Sequence, residues 1–168
     1  MGQAQHRRIE QDPGEEVRVR LCDYAVAPDQ RLDLSRVEVD RPGPSCTADT
    51  RRLLRERSPE TEPTLILGAD QAATLASWRE PEVVLSLATV AVAARAGLER
   101  EAVLRQLGGL AGRDRITFFE MPRIDVSSTL VRERAGSGRP IRYLVPDRVA
   151  EYVEANRLYG ATVPVSAE

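Results

Sequence analysis

The chain has 168 residues, of which 42% are hydrophobic and 30% charged, and this composition is typical of a single globular domain. A net charge of −2 argues against a general nucleic-acid-binding protein, and the apolar runs are too short to cross a bilayer. All 24 basic residues are arginines and the one histidine is His6, so lysine catalysis is excluded and histidine catalysis has a single candidate.

The amino-terminal residues and the cysteines bear on location. The opening stretch lacks the apolar core of a signal peptide, which predicts a cytoplasmic protein without a membrane or nucleic-acid partner. Cys22 and Cys46 are too few and too far apart to indicate a disulfide framework or a zinc site. We therefore expect two reduced thiols.

The first third of the chain predicts two helices and a strand. Residues 1–14 are polar and contain breakers, and we expect a disordered lead-in there. Apolar residues at helical spacing predict a helix over 15–27. Residues 32–39 alternate like a strand whose phase slips near Ser35, as a bulge would cause. A helix is predicted over 47–57, with Thr47 as its cap.

The rest of the chain alternates short apolar runs with helical patterns. The apolar runs predict three buried parallel strands, at 64–67, 89–93 and 116–119. Further helices are predicted at 81–87, at 99–107 and from Pro146 onward. This alternation predicts an α/β fold, a Rossmann-like doubly wound parallel sheet over residues 15–159, with a loose tail at 160–168. The glycine-rich or histidine-bearing turn that usually opens such folds is absent from this sequence.

The segment 120–146 contains several candidate ligand-binding residues close together, because an apolar strand leads there into a hydroxyl-rich helix start. Its candidate anion-binding groups are Ser127, Ser128, Thr129 and Arg132. Hydroxyls, the N–H groups of a helix N-terminus and an arginine one turn along would suit a phosphate. The alternative is structural: Ser127 only caps the helix, Val126 and Val131 form a hydrophobic staple, and Arg132 is solvated.

Several motifs occur together in a fixed order. They are VEVDRPGPSCTADT at 37–50, LILGADQAATLASW at 65–78, Arg95-Ala96-Gly97 after a strand, MPRIDVSSTLVR at 121–132 and GRPIRYLVPDRVAEYVEANRLY at 138–159. From about Tyr24 to Tyr159 the chain resembles the bacterial nicotinate mononucleotide adenylyltransferases. These belong to the nucleotidyltransferase superfamily, which joins a nucleotide to ATP with loss of pyrophosphate.

The resemblance implies a role for each motif, with ATP, accompanied by Mg²⁺, and nicotinate mononucleotide as substrates. Ser127, Ser128, Thr129 and Arg132 would hold the ATP phosphates, Gly68 and Asp70 would contact ribose, Thr47 and Trp78 would line the pyridine pocket, and Arg95 is a candidate phosphate ligand. Without the resemblance, Trp78 reads equally well as core filler, and Asp70 and Thr47 as helix caps. No catalytic residue is assigned.

The chain also departs from the family pattern. Cys46 stands where tyrosine is usual and Arg79 where an aromatic residue or histidine is usual. The family's first strand and its His/Thr-x-Gly-His turn are missing, so we expect a truncated and impaired adenylyltransferase. The alternative is a catalytically inactive relative that binds a nucleotide or a partner. Without that strand, Leu65, Ile66 and Val90 should be partly exposed, which favours association into oligomers.

Overall fold

The computed structural model of the chain describes residues 13–94, 96–122 and 124–160. Within them, unit 1 comprises residues from Asp40 to 122, and unit 2 combines residues 13–39 with 124–160. The expected lead-in is outside the described residues except for its last two, and the expected tail except for Gly160. His6 and Arg95 also lie outside them.

The described residues form seven α-helices and three strands. The helices are α1 (Glu15–Val26), α2 (Thr47–Arg57), α3 (Ala69–Ala73), α4 (Pro81–Leu87), α5 (Ala96–Leu107), α6 (Ser128–Gly136) and α7 (Asp147–Ala155). The strands are β1 (Thr64–Gly68), β2 (Thr89–Ala94) and β3 (Ile116–Glu120). Single 3₁₀ turns occupy Leu75–Ser77, Arg113–Arg115 and Leu158–Gly160. Each predicted strand after residue 60 is present, and α5 begins three residues before the predicted start at Glu99.

The sheet of unit 1 is parallel and has the order β1-β2-β3, which confirms the predicted parallel α/β fold. Ile66 pairs with Ala91, and Ala91 pairs with Thr117 across the central strand. Only β2 is deeply buried. Val90 is 0% exposed, which corrects the expectation that it would be uncovered, whereas Ile66 is 67% exposed, as expected. The prediction of three buried strands is wrong for β1 and β3 because each pairs on one side only within the described sheet.

The core of unit 1 forms where helices cover β2. Alternate residues of β2 point inward, so the strand's Val-Ala-Val pattern supplies two branched side chains to the same face. Side chains from α3, α4, α5 and the first 3₁₀ turn pack onto them. The buried members are Ala72, Leu75, Leu85, Val90, Val92, Val103 and Leu107.

Unit 2 is helical and has its own core. Helix α1 has no buried residue, but Leu21 packs against the buried residues Ala135, Ile141, Ala150 and Val153. The rings of Tyr24 and Tyr152 meet edge to face with centroids 5.4 Å apart, which joins α1 to α7. The predicted amphipathic helix over 15–27 is thereby confirmed, ending one residue early.

The strand predicted over residues 32–39 is wrong, because this segment consists of turns and irregular backbone. Its amide groups find local acceptors. The N–H of Leu34 donates to Asp33 Oδ1 at 2.8 Å, and the N–H of Val37 donates to Ser35 Oγ at 3.4 Å. Short polar side chains that capture neighbouring amides compete with a strand ladder. No bulge therefore forms at Ser35.

We expect the Leu75→Ala variant to lose about 2–5 kcal/mol of unfolding free energy, because Leu75 is 0% exposed and its truncation leaves a cavity in the core of unit 1. Ile66→Ala is the control, since Ile66 is 67% exposed and its truncation should change stability by only about 0.5 kcal/mol. Urea unfolding followed by circular dichroism measures both. Equal losses in the two variants would contradict the assignment of the core.

Candidate functional site

The end of β1 brings two predicted ligand residues together in unit 1. Gly68 is the last residue of β1, and α3 starts at Ala69, so the predicted loop is a helix start instead. A Cβ atom placed on Gly68 would lie 2.8 Å from Asp70 Oδ1. A side chain at position 68 would therefore require the Asp70 carboxylate to shift. Asp70 lies in the first turn of α3, not at its cap, and is exposed at the carboxyl end of β1, where parallel sheets bind ligands.

Trp78 follows the 3₁₀ turn after α3. Its Nε1 donates a hydrogen bond to Thr74 Oγ1 at 3.1 Å, which fixes the orientation of the ring. The side chain packs against the core of unit 1 and remains half-buried. Both interpretations of this tryptophan are therefore compatible with its position, because the ring covers the core and keeps an exposed part.

The start of α2 corrects the predicted cap. Thr47 is the first helical residue, and Cys46 occupies the cap position with an extended backbone. The Cys46 thiol donates to Asp49 Oδ2 over 3.0 Å. Thr47 makes no capping hydrogen bond and is half-buried. The helix cap therefore lies one residue earlier than predicted, at Cys46.

A cluster of ion pairs connects α2 with the residues that follow Trp78, and we call it the α2 polar cluster. Its members are Arg41, Asp49, Arg52, Arg79 and Glu80. Arg52 Nη2 lies 2.5 Å from Glu80 Oε1, and Arg41 Nη1 lies 3.1 Å from Asp49 Oδ2. Arg79 contacts both carboxylates more loosely, at 3.9 Å and 3.7 Å.

Hydrogen bonds lower the pKa values of both carboxyl groups in this cluster. The Cys46 thiol, followed by Arg41, lowers the pKa of Asp49. The guanidinium of Arg52 lowers the pKa of Glu80, and its own pKa is raised by the same contact. Sequence reasoning missed Asp49, Arg52 and Glu80. A signal was available in the two departures from the family pattern, since Cys46 lies three residues before Asp49 and Arg79 directly precedes Glu80.

The predicted phosphate turn is the first turn of α6 in unit 2. Ser127 is the N-cap, and its Oγ accepts a hydrogen bond from the N–H of Leu130 at 3.1 Å. The predicted capping role of Ser127 is thus confirmed. Ser128 and Thr129 are exposed, and this turn contains no acidic residue. Arg132 Nη2 is 3.5 Å from Thr129 Oγ1, which places its charge beside the exposed hydroxyls.

The described residues contain neither a metal-binding group nor a membrane-spanning helix. Within them, no three histidine, cysteine, aspartate or glutamate side chains are grouped so as to hold a metal ion. Nor does any helix of this part of the chain have the length and apolar character needed to span a membrane. Arg95 was a predicted phosphate ligand and has no described position.

We expect the α2 polar cluster to make stability depend on acidic pH. Asp49 and Glu80 have lowered pKa values, so their contribution is present above the unfolded pKa values of about 4 and is lost as pH falls through the folded values. The parent should therefore lose more stability between pH 6 and pH 3 than the Asp49→Asn/Glu80→Gln double variant. Urea midpoints across this range measure the difference, and parallel curves would refute the linkage.

The sequence profile of the cytidylyltransferase-like family matches residues 3–134. The chain is 42% identical over 144 residues to a probable nicotinate-nucleotide adenylyltransferase of Corynebacterium kroppenstedtii, covering 86% of this chain and 66% of that protein. It is 41% identical over 146 residues to a protein of the same name from Roseiflexus sp. strain RS-1, covering 86% and 72%.

A solved structure is also similar. It is nicotinic acid mononucleotide adenylyltransferase of Plasmodium falciparum complexed with APC, with a TM-score of 0.52. The match covers 73% of this chain and 62% of that one at 17% identity, which supports a common fold and nothing finer.

Proposed function

Because the chain belongs to the cytidylyltransferase-like family and, within it, to the nicotinate-nucleotide adenylyltransferases, we propose that it transfers the adenylyl group of ATP to nicotinate mononucleotide. The products would be deamido-NAD and pyrophosphate, and the reaction would serve NAD biosynthesis in the cytoplasm. The observation that carries this proposal is identity of about 40% to relatives of that name along 86% of the chain.

The ATP phosphates would bind at the first turn of α6. Ser128 and Thr129 expose hydroxyls there, and the first N–H groups of a helix attract anions. Arg132 adds a full positive charge beside Thr129. Ser127 would contribute by holding this turn, since its Oγ is engaged with the N–H of Leu130. Mg²⁺ would arrive bound to the ATP phosphates.

The pyridine nucleotide would bind to groups of unit 1. Trp78 would stack on the ring, and Thr47 would line the same pocket. Gly68 would allow close approach of the ribose, while the exposed carboxylate of Asp70 would accept a hydrogen bond from a ribose hydroxyl. The α2 polar cluster supports this placement, because it ties the start of α2 to the residue after Trp78.

The catalytic power of this chain should be low. Adenylyl transfer depends on positioning and on cations or donors near the developing charge. The sequence offers one histidine and no lysine for that purpose. Loss of one preorganised donor typically costs about 10²–10³ in rate. The same composition favours the second candidate function, a relative that binds nucleotides without turning them over.

We expect Arg132→Ala to weaken ATP binding about 10- to 100-fold, because it removes a charge-assisted contact to phosphate and leaves the fold intact. Arg148→Ala is the matched control, since Arg148 is an exposed arginine of α7 in the same unit. Isothermal titration calorimetry with ATP and Mg²⁺ measures both variants. Equal affinity of the parent and Arg132→Ala would remove Arg132 from the proposed phosphate site.

Trp78 is the chain's single tryptophan, so its fluorescence reports on one place. Stacking of a pyridine ring should change the emission of Trp78 on addition of nicotinate mononucleotide, and uridine monophosphate should change it much less. Titrations with the two nucleotides at equal concentration provide the comparison. Superimposable curves would argue against a stacking role.

Turnover separates the two candidate functions. Pyrophosphate release from ATP plus nicotinate mononucleotide should be measurable but slow for the purified 168-residue chain. Each substrate alone should give none, which controls for contaminating hydrolysis. Binding of both nucleotides with no release above that control would instead support the non-catalytic relative.

A further inference from the structure

Arg51 of α2 is the most deeply buried charged side chain of the described residues. Its relative exposure is 8%, and it lies on the face of α2 that also carries the fully buried Ala48. Its Nε and Nη2 atoms are enclosed and have no hydrogen-bond partner within the described part of the chain. Removal of a guanidinium from water without a partner costs several kcal/mol.

A buried ionisable group usually becomes neutral, but Arg51 does not. Burial lowers the pKa of Arg51, but an arginine starts so high that it keeps its charge at neutral pH. The carboxylates of the α2 polar cluster are engaged by other arginines: Asp49 by Arg41 and Arg52, and Glu80 by Arg52. The charge on Arg51 therefore needs an acceptor from outside the described residues.

The two unpaired atoms define the shape of that acceptor. Nε and Nη2 form one edge of the guanidinium, and this edge holds two oxygens at once elsewhere in the chain. In unit 2, Arg31 donates from Nε to Asp29 Oδ1 at 2.9 Å and from Nη2 to Asp29 Oδ2 at 2.6 Å. Such side-by-side contacts select carboxylate and phosphate groups.

We propose that Arg51 is the anchor of a binding site for a small oxyanion, an inorganic phosphate or the carboxylate of a planar acid, held by its Nε and Nη2 atoms. The site lies within unit 1, whereas the phosphate turn of α6 belongs to unit 2. Because both atoms are enclosed, an anion reaches them only when the covering side chains move aside, and this favours a small anion or the end of a larger one over a bulky group. The proposal does not depend on adenylyl transfer.

The test compares the melting temperatures of the purified chain and three variants in a buffer without phosphate or carboxylate. Arg51→Met removes the charge at similar length, and Arg51→Lys keeps the charge but loses the two-atom edge. Arg55→Met is the control, because Arg55 lies on the same helix and is exposed. Sodium phosphate and sodium nicotinate are added in separate arms, each against sodium chloride of equal ionic strength.

The parent and Arg55→Met should gain about 3–6 °C at ten times the dissociation constant of either anion. Arg51→Met should gain nothing, and Arg51→Lys should bind at least about tenfold more weakly. Without anion, Arg51→Met should melt at or above the temperature of the parent, since it removes an uncompensated charge. A response to phosphate alone or to nicotinate alone identifies the source of the anion.

Two results would overturn the site: no response of the parent to either anion, or the same response in Arg51→Met as in the parent. If Arg51→Met fails to fold, the comparison of the parent with Arg51→Lys decides in the same way. Pyrophosphate release is measured separately on the parent, so that failure of the anion site and failure of the proposed activity are distinguishable.

Discussion

Pairing of β2 on both sides fixes the arrangement of unit 1. Val90 and Val92 are completely buried, and β2 aligns β1 and β3 in parallel register. A parallel sheet places the carboxyl ends of its strands at one edge. The register therefore also sets the position at which β1 ends in Gly68 and Asp70 follows. The chemistry proposed for this end of β1 depends on the packing of a strand that carries no polar side chain beyond Thr89.

Arginine supplies all of the positive side-chain charge apart from His6, and this restricts the chemistry available to the protein. Arginine is a poor proton carrier at neutral pH but a good partner for carboxylates and phosphates. The described contacts of Arg52 and Arg41 follow that preference, since both hold carboxylates. A protein of this composition is better suited to positioning anions than to moving protons.

Much of the fold could be predicted because its signals are local. The short apolar runs give β1, β2 and β3, Pro81 starts α4, and the serine cap starts α6. Burial was less predictable, because the same apolar run forms a covered central strand or an exposed edge according to its neighbours. The turns at 32–39 were also missed, since Asp33 and Ser35 capture amides that the alternating pattern assigned to a strand.

The candidate site was likewise predictable only where a residue's role is local. Ser127 caps a helix and Gly68 closely approaches Asp70, and both roles are typical of these residue types. The α2 polar cluster depends on tertiary contacts across a separation of 28 residues between Arg52 and Glu80, which spacing in the sequence does not encode. The cluster forms because α2 packs against α4, whose N-cap residue is Glu80.

Arg51 and Arg52 show that tertiary contacts decide whether a charged side chain finds a partner. The two residues are identical and adjacent, but successive residues of a helix point about 100° apart. Arg52 therefore faces Glu80, and its pKa is raised, whereas Arg51 faces the interior, and its pKa is lowered. One charge is stabilised within the chain and the other is not. A helix that served only to cover the core would do better with an apolar residue at position 51, so the arginine there is best understood as a group held ready for an anion.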